Sequence, residues 1–167
     1  SQMTNVANVM TEAVNRSKLD IEKLTLGMQY AGNTAAQSGV SFEELSAALG
    51  AMSNAGIRSG STLGTGTRQI LIALQKPSKE FKEILDRLGI SMADIDLRSQ
   101  GLYGALKNLK DGGFTASDAI KGFETRAAAA YTALSGNLDQ MLSLGDAFLH
   151  TSASIQANDT QMLSLAN

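Results

Sequence analysis

The chain has 167 residues, of which 43% are hydrophobic and 18% are charged, and its formal net charge is −2. This composition excludes a disordered chain, and the acidic balance gives no basic surface for a nucleic-acid backbone. A sequence without cysteine excludes disulfides and thiolate chemistry, and no apolar run is long enough to cross a bilayer. Many helix formers, few aromatic residues and a single proline predict an all-α fold.

The first 35 residues predict two helices. The first ends near Ser17, and Asp20 is a good N-cap for the second. Apolar residues of the second helix recur in steps of three and four, a seam that packs either within the chain or between copies. Gly27 and Gly32 lie inside this helix and indicate close approach of a neighbour, or a break near Gly32. The two stripes are Met3, Val6, Ala7, Met10, Ala13 and Val14, then Ile21, Leu24, Met28, Ala31 and Ala35.

The stretch from residue 39 to residue 75 predicts a helix–turn–helix hairpin. Ser41 can accept a hydrogen bond from the amide of Glu44, and Glu44 can reach back to the amide of Ser41, which is a reciprocal capping box. Leu45 and Leu49 belong to the apolar stripe of the first helix, and Gly56 is expected to end it. The glycine-rich segment after Gly56, up to residue 66, is expected to form the turn.

That glycine-rich segment resembles a phosphate-binding loop in composition only. Gly66 is followed by Thr67 and Arg68, whereas a Walker A loop requires a lysine and a hydroxyl residue there. The dinucleotide fingerprint also fails, because position 69 is Gln instead of Gly. The segment therefore predicts an interhelical turn, and no nucleotide or other cofactor is expected.

Short helices are predicted for the rest of the chain. Pro77 is expected to start one that ends at Gly89, with Glu83 and Arg87 as an i, i+4 ion pair. Residues 90–98 are expected to form a loop or one helical turn.

Two caps are predicted further on, Thr115 with Asp118 and Asn137 before the last helix. The tail 151–167 predicts a frayed or extended helix. The side chains expected to face inward are Leu102, Leu106, Leu109, Ala119, Ile120, Phe123, Tyr131, Leu134, Leu138, Met141, Leu142, Phe148 and Leu149.

These elements predict a bundle of about seven or eight helices built from helix–turn–helix hairpins. We expect residues 1–167 to be a single all-α fragment of a longer chain. Residues 20–135 would form the packed core, and residues 1–19 and 137–167 would be helical extensions.

No residue pattern predicts catalysis or metal binding. The single histidine, His150, has no set of ligands near it in sequence, and no nucleophile motif points to it. The chain is therefore expected not to be an enzyme, and its important residues are expected to be structural. They are Ser41, Glu44, Leu45, Leu49, Gly56, Gly64, Arg68 and Gly89.

Three blocks in this order and spacing resemble the core region of phage and prophage tail tape measure proteins. They are VSFEELSAALGAMSNAGIRSGSTLGTGTRQILIAL at 40–74, KPSKEFKEILDRLGIS at 76–91 and KGFETRAAAAYTAL at 121–134. The resemblance covers about residues 31–134. One departure lies at 64–68, where the family's Gly-Thr and Arg are spaced differently, which affects only the detail of the turn.

The resemblance implies a structural virion component that lies inside the tail tube and sets tail length during assembly. It implies partners: other copies of the same protein, the tail tube protein and tail assembly chaperones. Its location would be the virion and, during assembly, the cytoplasm of the bacterial host.

Two other functions stay open on the sequence alone. The chain could be a stand-alone helical adaptor or assembly chaperone, which would have a complete reading frame of about this length. A cell-wall hydrolase fragment has less support. Asp94 and Asp96 would diverge if they lay on a helix, and Glu43 and Glu44 belong to a first helical turn, where carboxylates favour the helix dipole.

Overall fold

The computed structural model describes residues 2–150, with side chains from residue 3 onward, and every regular element in this range is helical. The prediction of an all-α, multi-helix fold is confirmed. The predicted helical tail 151–167 lies outside the described residues. The elements are α1 (Gln2–Arg16), α2 (Ile21–Gln37), α3 (Phe42–Asn54), α4 (Gly60–Gln75), α5 (Lys79–Leu88), a 3-10 turn (Met92–Ile95), α6 (Leu97–Asp111), α7 (Ala116–Gly122), α8 (Thr125–Ser135) and α9 (138–150).

Helix α3 is the centre of the fold, and every residue from Leu45 to Ser53 is buried. Most of these residues are Ala, Gly or Ser, whose small side chains let neighbouring backbones approach from several directions. Helices α1, α2, α4 and α8 contact α3, and α9 lies against it at Gly50 and Ala47. The sequence predicted a single apolar stripe here, whereas all faces of α3 are covered.

Helix α1 packs on α3 through part of the predicted stripe. Ala13 is fully buried and Met10 is partly buried against the core, as predicted. Val9, which is also fully buried, was not part of the predicted stripe. The expectation that Met3 faces inward was wrong, because this residue at the start of the helix is 84% exposed.

Helix α9, at the other end of the described chain, also packs on α3, and its Leu144 and Phe148 are buried. Leu144 lies over Gly50 of α3, where an added Cβ would be only 3.0 Å from its Cδ1. Leu142 and Leu149 were expected to face inward, but both are exposed. The proposed division into a core and two extensions stays a prediction, although α1 and α9 both contribute buried side chains.

Helices α2 and α4 come into very close contact because glycines remove the side chains between them. A Cβ at Gly64 would lie 2.7 Å from the Tyr30 Cβ and 2.8 Å from the Gly27 carbonyl oxygen. A Cβ at Gly60 would lie 2.9 Å from the Cα of Lys23. The backbones of the two helices are therefore in direct contact.

This contact corrects the predicted turn at 56–66. Helix α4 already begins at Gly60, after its N-cap Ser59. Gly64 and Gly66 consequently lie inside a helix, and the connection between α3 and α4 is only about five residues long. Local propensity favours a turn for such a glycine-rich segment, but Gly60 and Gly64 are needed for packing against α2. Gly66 lies against α8, where an added Cβ would be 3.2 Å from the Ala130 Cβ.

The apolar stripe of α2 is used within the chain. Leu24, Ala31 and Ala35 are buried, while Ile21 at the start of the helix is 54% exposed. Asp20 caps the helix as predicted, accepting a hydrogen bond from the Lys23 amide. The helix does not break at glycine 32 and continues to its end at residue 37.

Four aromatic side chains form one cluster between α5, α7 and α8. Phe81, Phe114, Phe123 and Tyr131 are all buried, and their rings meet mostly edge to face at 4.7–6.1 Å between centroids. The Tyr131 hydroxyl donates a hydrogen bond of 2.6 Å to the Phe114 carbonyl. Burial raises the pKa of Tyr131 to about 12.

Helix α5 begins two residues later than predicted. Pro77 precedes the N-cap Ser78, whose hydroxyl accepts from the Phe81 amide at 3.1 Å. The same hydroxyl donates to the Gly122 carbonyl at the end of α7. The cap therefore joins two helices that are far apart in sequence.

The remaining predictions divide between local and tertiary features. The 3-10 turn confirms the expected single helical turn within 90–98. Ile120 was predicted to face inward but is 73% exposed. Asn137 lies directly before α9, and its backbone carbonyl accepts from the Met141 amide. Its side-chain nitrogen donates back to the Ala133 carbonyl, and capping of α9 by its side-chain oxygen stays a prediction.

Candidate interaction surface

The residues predicted to be structurally important occupy several helices and do not form one site. Leu45 and Leu49 are buried in α3, Gly64 lies against α2 and Arg68 is exposed on α4. Positive φ angles occur at residues 56 and 89, after the ends of α3 and α5. The importance of the whole set for function stays a prediction.

Ser41 and Glu44 show a cap that is only half of the predicted one. The Ser41 hydroxyl accepts from the Glu44 amide at 3.1 Å. The Glu44 carboxylate does not return to Ser41, and instead accepts a hydrogen bond from the Leu102 amide of α6. The reciprocal capping box was therefore wrong, since the carboxylate has a tertiary partner 58 residues away in sequence.

That partner lies at a sharp bend of α6. Gly101 has φ of 70° and ψ of 176°, which interrupts the helix and leaves the Leu102 amide without an intrahelical acceptor. A Cβ at Gly101 would lie 3.0 Å from one Glu44 carboxylate oxygen. Glycine at the bend thus makes room for the carboxylate that satisfies the following amide.

We expect Glu44→Ala to lower the free energy of unfolding by about 1.5–3 kcal/mol, because it removes a charge-assisted hydrogen bond and leaves a partly buried amide unpaired. The measurement is equilibrium unfolding in urea. Glu80→Ala is the matched control, since Glu80 is also a first-turn carboxylate but is exposed. Equal losses in the two variants would mean that only the helix dipole is involved.

Asp118 forms a second polar junction, between α5 and α7. The predicted Thr115–Asp118 capping box is confirmed. The predicted Glu83–Arg87 pair is wrong, because Arg87 reaches Asp118 at 2.7 Å. The Thr115 backbone amide, followed by the Thr115 hydroxyl and Arg87, holds the pKa of Asp118 below its usual value, although burial opposes this shift.

Asp118→Asn should therefore lose stability in a pH-dependent way. A lowered folded-state pKa means that the carboxylate stabilises the fold fully above its unfolded-state pKa. This contribution disappears as the pH falls from about 5 through the folded-state pKa. Thermal unfolding of both proteins across this range should show curves that converge at low pH, with the wild type more stable by about 1.5–3 kcal/mol near neutrality. A constant difference at every pH would refute the assignment.

A mostly apolar surface depression runs along α8, and we call it the α8 groove. Two adjoining cavities of about 450 and 620 Å³ share Ile57, Thr125 and Ala129. The floor is made of Met52, Ile57 and alanines of α8, and hydroxyl groups line its α4 side. Its lining residues are Tyr30, Met52, Ala55, Ile57, Ser61, Thr62, Thr65, Gly66, Ile120, Thr125, Arg126, Ala128, Ala129, Ala130, Thr132, Ala133 and Asn137.

The charged residue that lines the α8 groove is basic. Arg126 is the one charged residue among those that line it, and its side chain is 64% exposed with a loose 3.6 Å contact to Glu124. Arg58 follows Ile57 and is exposed, as is Lys121 beside Ile120. An apolar floor with a basic rim suits a protein partner better than a small polar substrate.

Within residues 2–150, no group of three or more His, Asp or Glu side chains is arranged to hold a metal ion. Over the same range, no helix is both long and apolar enough to cross a bilayer.

Comparison with known proteins decides the family. The sequence pattern of the family described as phage-related minor tail protein matches residues 1–164. The chain belongs to the phage-related minor tail protein family. The resemblance noted in the sequence at residues 40–134 is thereby confirmed, and the chain is a phage tail protein.

Two relatives of this minor tail protein are named as tape measure proteins. The chain is 29% identical over 109 residues to the probable tape measure protein of Escherichia phage P2, a match that covers 65% of this chain and 13% of the relative. It is 33% identical over 105 residues to the tape measure protein of Pneumococcus phage Dp-1, covering 60% and 9% respectively. The chain thus spans only a small part of the relatives that it matches. No solved structure matches it.

Proposed function

We propose that this chain is a module of a tail tape measure protein, a non-catalytic virion component that lies inside the tail tube and sets tail length during assembly. The observation that carries the proposal is its similarity to two proteins named as tape measure proteins. The all-helical content agrees with it, because a chain of helices laid end to end converts residues into length at about 1.5 Å each.

The proposed partners are other copies of the same protein, the tail tube protein and tail assembly chaperones. The proposed locations are the tube interior in the virion and the host cytoplasm before assembly. A packed helical fold of this size would provide a surface for such partners outside the tube, before the chain takes its place in the tail.

The proposal is tested by changing the length of the protein in the phage that encodes it. In-frame insertions of helix-forming residues are placed within 151–167, outside the described residues. Electron microscopy of the virions should show tails that lengthen by about 1.5 Å per inserted residue. An insertion of equal length into an unrelated tail gene is the control. Normal virions with unchanged tail length would refute the length-setting role.

A further inference from the structure

A depression of about 200 Å³ lies between α9 and α6, with the start of α3 as its floor. Helix α9 contributes Leu142, Asp146 and Leu149 to its lining, α6 contributes Tyr103, and α3 contributes Glu44. We call the depression lined by these five residues the α9 groove. The two leucines are 43% and 55% exposed, so the groove offers apolar surface that nothing in the described chain covers.

The wall that α9 gives to this groove has a regular pattern. Asp139, Leu142, Asp146 and Leu149 follow one another in steps of three, four and three residues, so they lie on one side of the helix. All four side chains are exposed. This spacing is the one with which one helix packs along another, and here an acidic residue alternates with a leucine.

The α9 groove is acidic. The two charged residues of its lining are Glu44 and Asp146, and no ion pair to Asp146 is formed within residues 2–150. Lys107 of α6 lies nearby, but it is paired with Asp111 at 2.6 Å. Asp111 raises the pKa of this lysine, and the charge of Asp139 adds to the effect. Asp139 therefore lies on the side of α9 that faces α6, and the carboxylates around the groove outnumber the single lysine.

The chain itself does not offer a complementary segment. Residues 151–167 contain one aspartate and neither lysine nor arginine, and the whole chain has a net charge of −2. Among the other described helices, only α2 has two large exposed apolar side chains, Ile21 and Tyr30. They are nine residues apart and lie on opposite sides of that helix. Charge complementarity therefore favours a different protein as the occupant.

We propose that the α9 groove docks a basic amphipathic helix of another protein. The apolar side chains of that helix would pack against Leu142 and Leu149, in the manner of other helix-in-groove contacts. Its lysine or arginine side chains would lie against Asp139 and Asp146, and the Tyr103 ring beside them also favours a cation. The inference rests on the proposed function in that protein partners are part of it, and it adds the surface and the chemistry of the partner.

The test uses the 167-residue chain and a fluorescein-labelled peptide of about four helical turns. The peptide has leucines at steps of three and four residues and lysines at its other positions. Fluorescence anisotropy should show binding that weakens by at least about tenfold with Asp146→Lys, because like charges would then meet. Leu142→Ser should weaken binding without a change of charge. A peptide with glutamate in place of every lysine should not bind.

Two matched controls change exposed residues outside the groove. Asp86→Lys on α5 makes the same change of charge, and Ile120→Ser makes a similar loss of exposed apolar surface. Both should bind the lysine peptide like the wild type. Circular dichroism verifies that all the variants are folded.

Thiol labelling locates the peptide on the surface. Because the chain has no cysteine, Leu142→Cys provides a single reactive thiol and keeps a small apolar side chain. Its reaction with a maleimide should be fast in the dilute free protein and clearly slower with saturating lysine peptide. Ile120→Cys should react at the same rate with and without the peptide.

Several results would overturn the inference. These are no binding of the lysine peptide, equal binding of the glutamate peptide, or an equal loss with Asp86→Lys and Asp146→Lys. A Leu142→Cys thiol that is protected without peptide at every dilution would mean that the chain itself covers the groove. Protection that appears only at high protein concentration would mean that a second copy does.

Failure of this inference is separable from failure of the tape measure role. Tails that lengthen with insertions, in a protein whose groove does not bind the lysine peptide, would reject the inference alone. Binding of the peptide in the groove with tails of unchanged length would reject only the length-setting role.

Discussion

Replacing Gly64 by valine is expected to lower the free energy of unfolding by about 3 kcal/mol, the upper end of the usual effect of overpacking. A Cβ added at this position would lie 2.7–3.0 Å from two backbone atoms of Gly27 and from the Cβ of Tyr30. Such atoms cannot rotate away, so α2 and α4 would have to separate along their common face. Equilibrium unfolding in guanidinium chloride measures the loss.

A matched substitution in α2 should act in the opposite direction. Gly32 is also inside a helix, but nothing lies within 4 Å of an added Cβ. Gly32→Ala should therefore stabilise the chain by about 0.5–1 kcal/mol through helix propensity alone. If Gly64→Val proved neutral, or if Gly32→Ala destabilised the chain as much, the close packing of α2 on α4 would not be the reason for glycine at position 64.

Phe81→Ala is the second substitution with a large expected effect, a loss of about 3–5 kcal/mol. Phe81 is fully buried and contacts the rings of Phe114 and Phe123 at 5.4 and 4.7 Å between centroids. Its removal would leave a cavity at the point where α5 meets α7, and rigid neighbouring rings fill such a cavity poorly.

Two further variants separate the cavity from other effects. Phe42→Ala truncates the same residue type at a half-buried position and should lose clearly less stability. Tyr131→Phe keeps the cluster filled and removes only the hydrogen bond to Phe114, worth about 0.5–1.5 kcal/mol. Chemical denaturation of the three variants should rank Phe81→Ala as the least stable. Equal losses at positions 81 and 42 would contradict a central role for the cluster.

Features that depend on a few neighbouring residues could be predicted from the sequence. Asp20 and the Thr115–Asp118 pair cap their helices as expected, because an N-cap needs only a side chain and amides two or three residues later. The helix ends at Gly56 and Gly89 could be predicted for a similar reason, because a positive φ at the residue after a helix depends only on that residue being glycine. The all-α class also follows from the composition and from apolar residues that recur every three or four positions.

Features that depend on distant residues could not be predicted. The Glu44 carboxylate has an equally reasonable local partner in the sequence, and only the bend at Gly101 brings the Leu102 amide to it. Arg87 likewise has a partner one turn away but binds Asp118 instead. The α8 groove could not be predicted either, because its lining comes from five helices, α2, α3, α4, α7 and α8, from the loop at residues 55–57 and from Asn137.

The central position of α3 determines how the fold would respond to tension between its two ends. The described chain enters through α1 and leaves through α9, and both helices lie directly on α3. A pulling force would therefore peel these two outer helices first and uncover α3 from both sides. Because α3 has mostly small side chains of its own, it would retain little stability once uncovered. Extension would thus begin at both ends of the chain and then spread inward to the centre.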